Sequence, residues 1–315
     1  MAERKLSAST NGKVKDATKY KIAVGGVVKP IERAFCAKDG VVRQYWPPDE
    51  PLTCDPNDIS DLVLHLDSSV IGSLYQQQGL QPFGLGSDPV TADGQDVQCW
   101  ADLSPNGYHM NLYKPEAPEG YGAGEYDGGG GPGGEGVVKG SVPTYLGATD
   151  SVLTSTMNTT VLFVALIRAG TFSFSPIFGN ALDGNHPGTA GVPYFFSCMD
   201  AVGGTVPAGL GVNFLTDTQQ LADHGGLVSV DEWHQGTTII GGSTMRARVD
   251  GSGGPAVPIT GVLTGGNEGT SIFDNTLVGT NHVGSIAEVL VYDRELTTEE
   301  ITHLEDCLKA KWGTP

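Results

Sequence analysis

From residue 60 onward, short apolar, β-prone runs alternate with turns rich in Gly, Pro, Asn and Asp. The clearest runs are Leu62–Leu66, Val161–Ile167, Tyr194–Cys198, Thr237–Ile240, Met245–Val249 and Ser285–Tyr292. Runs this short, with almost no helical spacing between them, predict an antiparallel β-sandwich or barrel. Helical spacing is convincing only at the carboxyl end. There Thr297 and Glu300 form a capping-box pair, Ile301, Leu304 and Leu308 make an apolar stripe, and Gly313 supplies the stop. Trp100, Trp233 and Trp312 follow or interrupt apolar patterns and are assigned to the core or its margin. Residues 120–136 hold ten glycines in seventeen positions and are assigned to a long loop, not a strand.

The amino-terminal region has a different pattern. Residues 1–18 are polar and aperiodic, which predicts a flexible basic arm. In residues 19–48 a short repeat lays Ala23-Val24-Gly25-Gly26-Val27-Val28-Lys29 over Ala37-Lys38-Asp39-Gly40-Val41-Val42-Arg43 at a 14-residue offset. Gly25-Gly26 and Asp39-Gly40 suit two-residue turns that need positive φ, so tandem β-hairpins ending at Tyr45-Trp46 are predicted. About thirty residues of hairpin bury little surface alone. The module is therefore expected to add strands to a partner through Val24, Val27, Val28, Val41, Val42, Tyr45 and Trp46, with Gly25, Gly26 and Lys29 in the same segment. Residues 49–59, opening on the Pro-rich stretch after Trp46, are assigned to a stiff linker, and 60–315 to the sandwich.

Composition narrows the class. Glycine supplies 46 of 315 residues, but no Gly-X-Y period accompanies it, which excludes collagen. Hydrophobic residues at 39% can fill a core, and charged residues at 17% are too few for a disordered polyelectrolyte. No apolar run is long enough to span a bilayer and no signal-peptide core opens the chain, so a soluble protein made without Sec-type export is expected. The net charge of −18 is unevenly spread: residues 1–46 carry +6 and the remainder −24. The acidic body should repel nucleic acid and anionic membranes. The ten basic residues of 1–46 are dilute for nucleic acid, and an acidic protein surface suits them equally. Cys36, Cys54, Cys99, Cys198 and Cys307 are odd in number, widely spaced and lack a C-x-x-C pair. That pattern argues against a disulfide framework and a structural zinc site, and single buried thiols in a reducing compartment are expected.

The search for catalytic constellations is mostly negative. There is no G-x-S-x-G elbow and no H-E-x-x-H, and the tract Gly128–Gly136 lacks a P-loop ending. Glu300-x-x-His303 matches half of a di-iron ligand set, but capping explains Glu300. Asp183-Gly184-Asn185 offers oxygens of the kind calcium takes, and a turn explains it as well. No catalytic residue, metal site or cofactor is assigned. Asn158-Thr159-Thr160 fits a glycosylation acceptor, which matters only after export. Tyr108, Tyr113, Tyr121 and Tyr126 lie in or near the long loop region, as sugar-stacking residues or as pins for a glycine-rich loop.

Four segments in order match one pattern. Asp61–Asp67 (DLVLHLD) resembles the opening strand of laminin-G-like, concanavalin-type jelly rolls. Val97–Asn111 (VQCWADLSPNGYHMN) resembles that family's W-x-D-x-S-x-N stretch. Asp231–His234 with Met245–Gly251 is similar to its W-H and L-Y-V-D-G strand pair, and Gly284–Leu296 followed by 297–313 to its closing strand and short terminal helix. The resemblance covers about 60–315 and implies an antiparallel jelly-roll sandwich with a possible sugar-binding surface. The glucanase signature E-x-D-x-x-E is missing; Glu125-Tyr126-Asp127 comes nearest and lacks the last Glu. Val24–Lys29 (VGGVVK) is similar to the V-G-G-V-W-K modules of tailed-bacteriophage virion proteins, with Val28 where Trp is common.

Together these imply a multi-copy virion component, docked on other virion proteins through residues 1–48 and displaying a lectin-like sandwich for a host surface glycan. No enzymatic activity is expected. The alternative is a glycoside hydrolase or lyase, which requires two carboxylates facing across a cleft.

Overall fold

The structure is a computed structural model. It describes the backbone of residues 21–24, 27–30, 34–38 and 41–46, and the chain from Thr53 to Pro315 except 81, 113–121, 141–143, 145, 149–151, 154–157, 169–174, 180–193, 201–208, 216–218, 224–227, 230, 260–269, 276–279 and 282–283. Side chains are described from Thr53 onward, apart from those of 175–176, 194–200, 209–215, 219–223, 274–275 and 280–281. Two compact units divide the chain, Met1–Thr53 and Cys54–Pro315, and the division falls inside the Pro-rich segment 49–59.

In the first unit, Lys21–Val24 pairs antiparallel with Val27–Pro30, and Ala34–Lys38 with Val41–Trp46. The closing pairs are Val24 with Val27 and Lys38 with Val41, so each hairpin turns over the two residues that the repeat predicts. The partner-facing side chains expected on these strands lie outside the described residues.

The second unit is an antiparallel jelly-roll sandwich of two ten-stranded sheets. The first sheet runs, in spatial order, from Gln219–Asp223 through Gly209–Leu215, Tyr194–Asp200, Ser175–Gly179, Thr270–Ile272, Leu146–Ala148, Met110–Leu112, Cys99–Trp100 and Leu74–Gln77 to Ser87–Pro89. The second centres on Asn158–Ile167 and Gly284–Tyr292, with Trp233–Gly241 and Thr244–Val249 on one side and Val137–Gly140, Gly124–Asp127 and Asp96–Val97 on the other. Leu62–Asp67 pairs with the carboxyl half of Gly284–Tyr292.

The central strands read as unbroken apolar runs because both of their faces are covered. Inward, Val161, Phe163, Ala165, Val289 and Val291 meet Trp100, Met110, Leu146, Phe178 and Ile272 of the first sheet. Outward, Leu162, Val164, Leu290 and Tyr292 pack beneath the single helix α1, Thr298–Trp312, through its Ile301, Leu304, Leu308 and Trp312. Each such aliphatic side chain contributes about 1.5–3 kcal/mol when removed from water. A one-residue β-bulge at Ala287, opposite the Val164/Ala165 step, lets Ile286 and Val289 both face inward. It turns Ala287 outward and aims the Glu288 carboxylate at α1.

The helix begins and ends where the sequence predicts. Thr297 accepts from the Glu300 backbone N–H, the Glu300 side chain reaches back to the Thr297 N–H, and Gly313 closes the helix at φ 66°. Arg294 adds a two-pronged bond to Glu300, at 3.0 and 2.7 Å. This bond, followed by the capping contacts, outweighs the effect of burial and holds the Glu300 carboxyl down at about 2. No helix among the described residues is long and apolar enough to cross a membrane.

Two expectations are corrected here. Gly124–Asp127 is a strand between Asp96–Val97 and Val137–Gly140, and only the remainder of the described glycine tract is loop and 3₁₀ turn. Gly124 serves close packing: a Cβ there would sit 2.7 Å from Val138 Cγ1. Second, Cys54 and Cys307 form a disulfide, with Cα atoms 5.5 Å apart across 253 residues of sequence. Helix packing brings them together, which spacing along the chain does not report. Cys99 is a buried free thiol, raised to about 11 by burial.

Candidate functional site

Polar residues of the four resembling segments act as joints between elements of the sandwich. Asp102 is a buried hub whose Oδ1 accepts from the backbone N–H of His65 and Ser104, both at 2.8 Å. Its Oδ2 accepts from Ser104 Oγ at 2.7 Å and the Tyr108 N–H at 2.8 Å, while its own N–H donates to His109 Nδ1. Asn106 completes the lock by donating to the Leu62 carbonyl at 2.9 Å. A carboxylate that accepts four bonds in a dry site holds loop 101–109 against the strand Leu62–Asp67. In the hairpin of the second sheet, His234 Nδ1 meets Asp250 Oδ2 at 2.7 Å, and Asp250 sits at φ 48° before Gly251 at φ 76°. Asp-Gly is the pair that such a turn favours.

Glu288 is the centre of the third joint. Its Oε1 lies 3.0 Å from His65 Nε2, and its Oε2 accepts from Lys311 Nζ at 2.6 Å and Trp312 Nε1 at 2.7 Å. Lys311 Nζ also reaches Asp67 Oδ2 at 2.6 Å. Burial pushes the Glu288 carboxyl up, but His65 and Lys311 prevail and hold it below its ordinary value. Burial likewise pushes Lys311 down, and Glu288 with Asp67 carries it above the ordinary lysine range. Ligand-type atoms of His65, Asp67 and Glu288 lie within 4.8 Å of one another, a separation not far from the carboxylate pair of a retaining glycosidase. Both carboxylates are nevertheless buried, at 5% and 2% exposure, and bonded to the last turn of α1. No sugar reaches them there. Their work is to dock the helix.

The aromatic candidates separate. Tyr108 is half-buried and packs on Phe83 with ring centroids 4.6 Å apart. Tyr126, at 8% exposure, belongs to the inner core of the second sheet, and its ring lies against Gly136, where any side chain would collide with it. Burial, then the charges of Asp93, Glu135 and Asp127, raise its phenol. Tyr113 and Tyr121 lie outside the described residues, as does Asp183-Gly184-Asn185. What sequence reasoning missed is that Gly79, Gly84 and Gly86 bond to the side chains of Asn111 and Cys99, whose strand neighbours Met110, Leu112 and Trp100 enter the core. Asn111 accepts from the Gly79 N–H at 2.6 Å and donates to the Gly84 carbonyl at 2.9 Å, and Cys99 Sγ accepts from the Gly86 N–H. The segment 78–86 carries Phe83 beside Tyr108 and leaves Leu80 and Leu85 exposed at 85% and 51%. The only signal in the sequence was the set Gly79, Gly84 and Gly86, whose missing side chains permit close backbone approach. Phe83 and Tyr108 are partly buried and pack against the inner core, so among the described residues Leu80 and Leu85, with Val70 and Ile71, are the exposed large apolar side chains.

No family model matches the sequence, and no curated protein matches it significantly. Solved structures do. An arabinofuranosidase complexed with arabinofuranosyl-α-1,2-xylobiose aligns with a TM-score of 0.60 at 15% identity, over 82% of this chain and 65% of its own. Domain 4 of AbnA, an extracellular arabinanase of glycoside hydrolase family 43 from Geobacillus stearothermophilus, gives a TM-score of 0.45 at 14% identity, over 78% of this chain and 98% of its own. Trypanosoma rangeli sialidase gives 0.44 at 14% identity, over 81% and 34%. The chain thus spans about two-thirds of the arabinofuranosidase's length, and what the two share is the fold. That comparison corrects the expectation of a chain without enzymatic activity: the sandwich is one that a glycoside hydrolase also uses.

Proposed function

We propose that the sandwich recognises a polysaccharide on the outer side of its first sheet, and that residues 1–48 hold it on a larger assembly. The observation that carries this reading is a ledge made of the partly exposed Phe83–Tyr108 ring pair, which packs on the core, and of Leu80 and Leu85, exposed in the same segment as Phe83; Asn111 and Asp102 bond its backbone. Rigid aromatic faces with aliphatic flanks stack against the apolar side of a sugar ring. The fold shared with an arabinofuranosidase whose complex holds arabinofuranosyl-α-1,2-xylobiose supports a glycan as the ligand class. The virion as assembly, with host-glycan adsorption as purpose, rests on the sequence of Val24–Lys29 and on the charge split between residues 1–46 and the rest.

Affinity electrophoresis of the full chain through arabinan, arabinoxylan and bacterial surface polysaccharides tests the glycan part. At least one should retard the protein, and Tyr108→Ala should weaken that retardation about tenfold. The same incubations read hydrolysis as new reducing ends. Silence in every polysaccharide, in both readouts, overturns the reading, and an unchanged Tyr108→Ala variant removes the ledge from it. Deletion of residues 1–48 should abolish incorporation into the particle; normal incorporation refutes the anchor.

A further inference from the structure

We infer that the Cys54–Cys307 pair, once reduced, becomes a binding site for one thiophilic divalent cation, with His303 as third ligand. His303 and Cys307 are four residues apart on α1, so they share a face of the helix, and His303 Nε2 lies 3.6 Å from Cys307 Sγ. Ligand atoms of Cys54, His303 and Cys307 all fall within 4.8 Å of one another. Two thiolates and an imidazole make a donor set that zinc accepts, with water in the fourth position. Zn–S bonds of about 2.3 Å place two sulfurs about 3.8 Å apart in a tetrahedral site. The two backbones stand 5.5 Å apart. Cys54 is exposed and is the first residue of its compact unit, so the adjustment falls on a segment that packs little.

The chemistry balances with a thiol as reductant. Two RSH convert the disulfide to two protein thiols and one RSSR. Each protein thiol then gives its proton to solvent as its sulfur bonds Zn²⁺, and the metal keeps its oxidation state. Disulfide and metal exclude one another, so either would tie the start of the sandwich to α1. The site is independent of the glycan surface, which lies on the other sheet.

The test uses the full chain, reduced with a phosphine and titrated anaerobically with Co²⁺, which reports tetrahedral thiolate ligation by charge-transfer and visible d–d bands. Reduced protein should take up one equivalent, which Zn²⁺ displaces. The oxidised protein and reduced Cys54→Ser or Cys307→Ser should show no thiolate band, and His303→Gln should bind about tenfold more weakly or worse. His303→Gln keeps the disulfide, so its folding is checked by circular dichroism before reduction. A reduced wild type that unfolds or gives no band overturns the proposal. So does a band that survives Cys54→Ser, which would come from other cysteines, or one that His303→Gln leaves unchanged.

Discussion

Replacing Lys311 by Met keeps most of the aliphatic stem of the side chain and removes its charge. The ammonium lies 2.6 Å from Asp67 and from Glu288, whose side chains are only 7% and 3% exposed. Each hydrogen bond to a charged partner contributes about 1.5–3 kcal/mol. Lys311 itself is one-third exposed, and solvent screening lowers that sum. The expected loss at neutral pH is about 3 kcal/mol, the low end of what stranding a buried charge costs. In a unit this large it corresponds to a fall in Tm of roughly 6–12 °C. The pH dependence is the sharper test. In the wild type the Glu288 carboxyl sits below its ordinary 4.5, so it contributes stability above that pH and loses it as pH falls through the folded value. Without Lys311, one of the two groups that hold the carboxyl down is gone while the His65 contact remains, so the variant lacks the Lys311 share of that stability. The gap between wild type and variant should then shrink as pH falls from about 7 to 3, where protonation of Glu288 removes the attraction in the wild type too. Urea unfolding followed by tryptophan fluorescence across that range reads both quantities. A variant within about 0.5 kcal/mol of wild type, or one that follows the wild-type pH profile, would refute the account of a charge-locked helix dock.

Three other outcomes are expected. Cys54→Ser should cost about 2–5 kcal/mol in the oxidised protein, since the disulfide closes a very long loop, and the wild type should lose the same amount on reduction without metal. Asp102→Ala should cost about 3 kcal/mol by stranding its donors, with faster amide exchange at His65, Ser104 and Tyr108 as the specific sign. Gly236→Ala should destabilise by about 1–3 kcal/mol, because the added Cβ meets the Phe163 ring in the core; thermal unfolding reads it directly.

Local pattern was enough for some elements. The capping box at Thr297, the stripe on Ile301, Leu304 and Leu308 and the stop at Gly313 define α1 without reference to anything beyond it. Gly25-Gly26 and Asp39-Gly40 place the hairpin turns for the same reason, since a turn's backbone demand falls on the residues that make it. The apolar runs in 158–167 and 284–292 declared buried strands, but two-sided burial hides which residue faces which layer. Gly124–Asp127 was illegible because glycine there answers a neighbour's bulk, a demand that resembles a turn when read along one chain. Tyr126 is carried by that strand into the core. Cys54 with Cys307, and Glu288 with His65, Asp67 and Lys311, lie up to 253 residues apart, so nothing in either neighbourhood announces the other. A lone acid in an apolar strand looks like a charge out of place. Only tertiary packing, with His65 from the neighbouring strand and Lys311 and Trp312 from α1, supplies the partners that make burying Glu288 favourable, because a carboxylate leaves water at tolerable cost only where donors already converge on it.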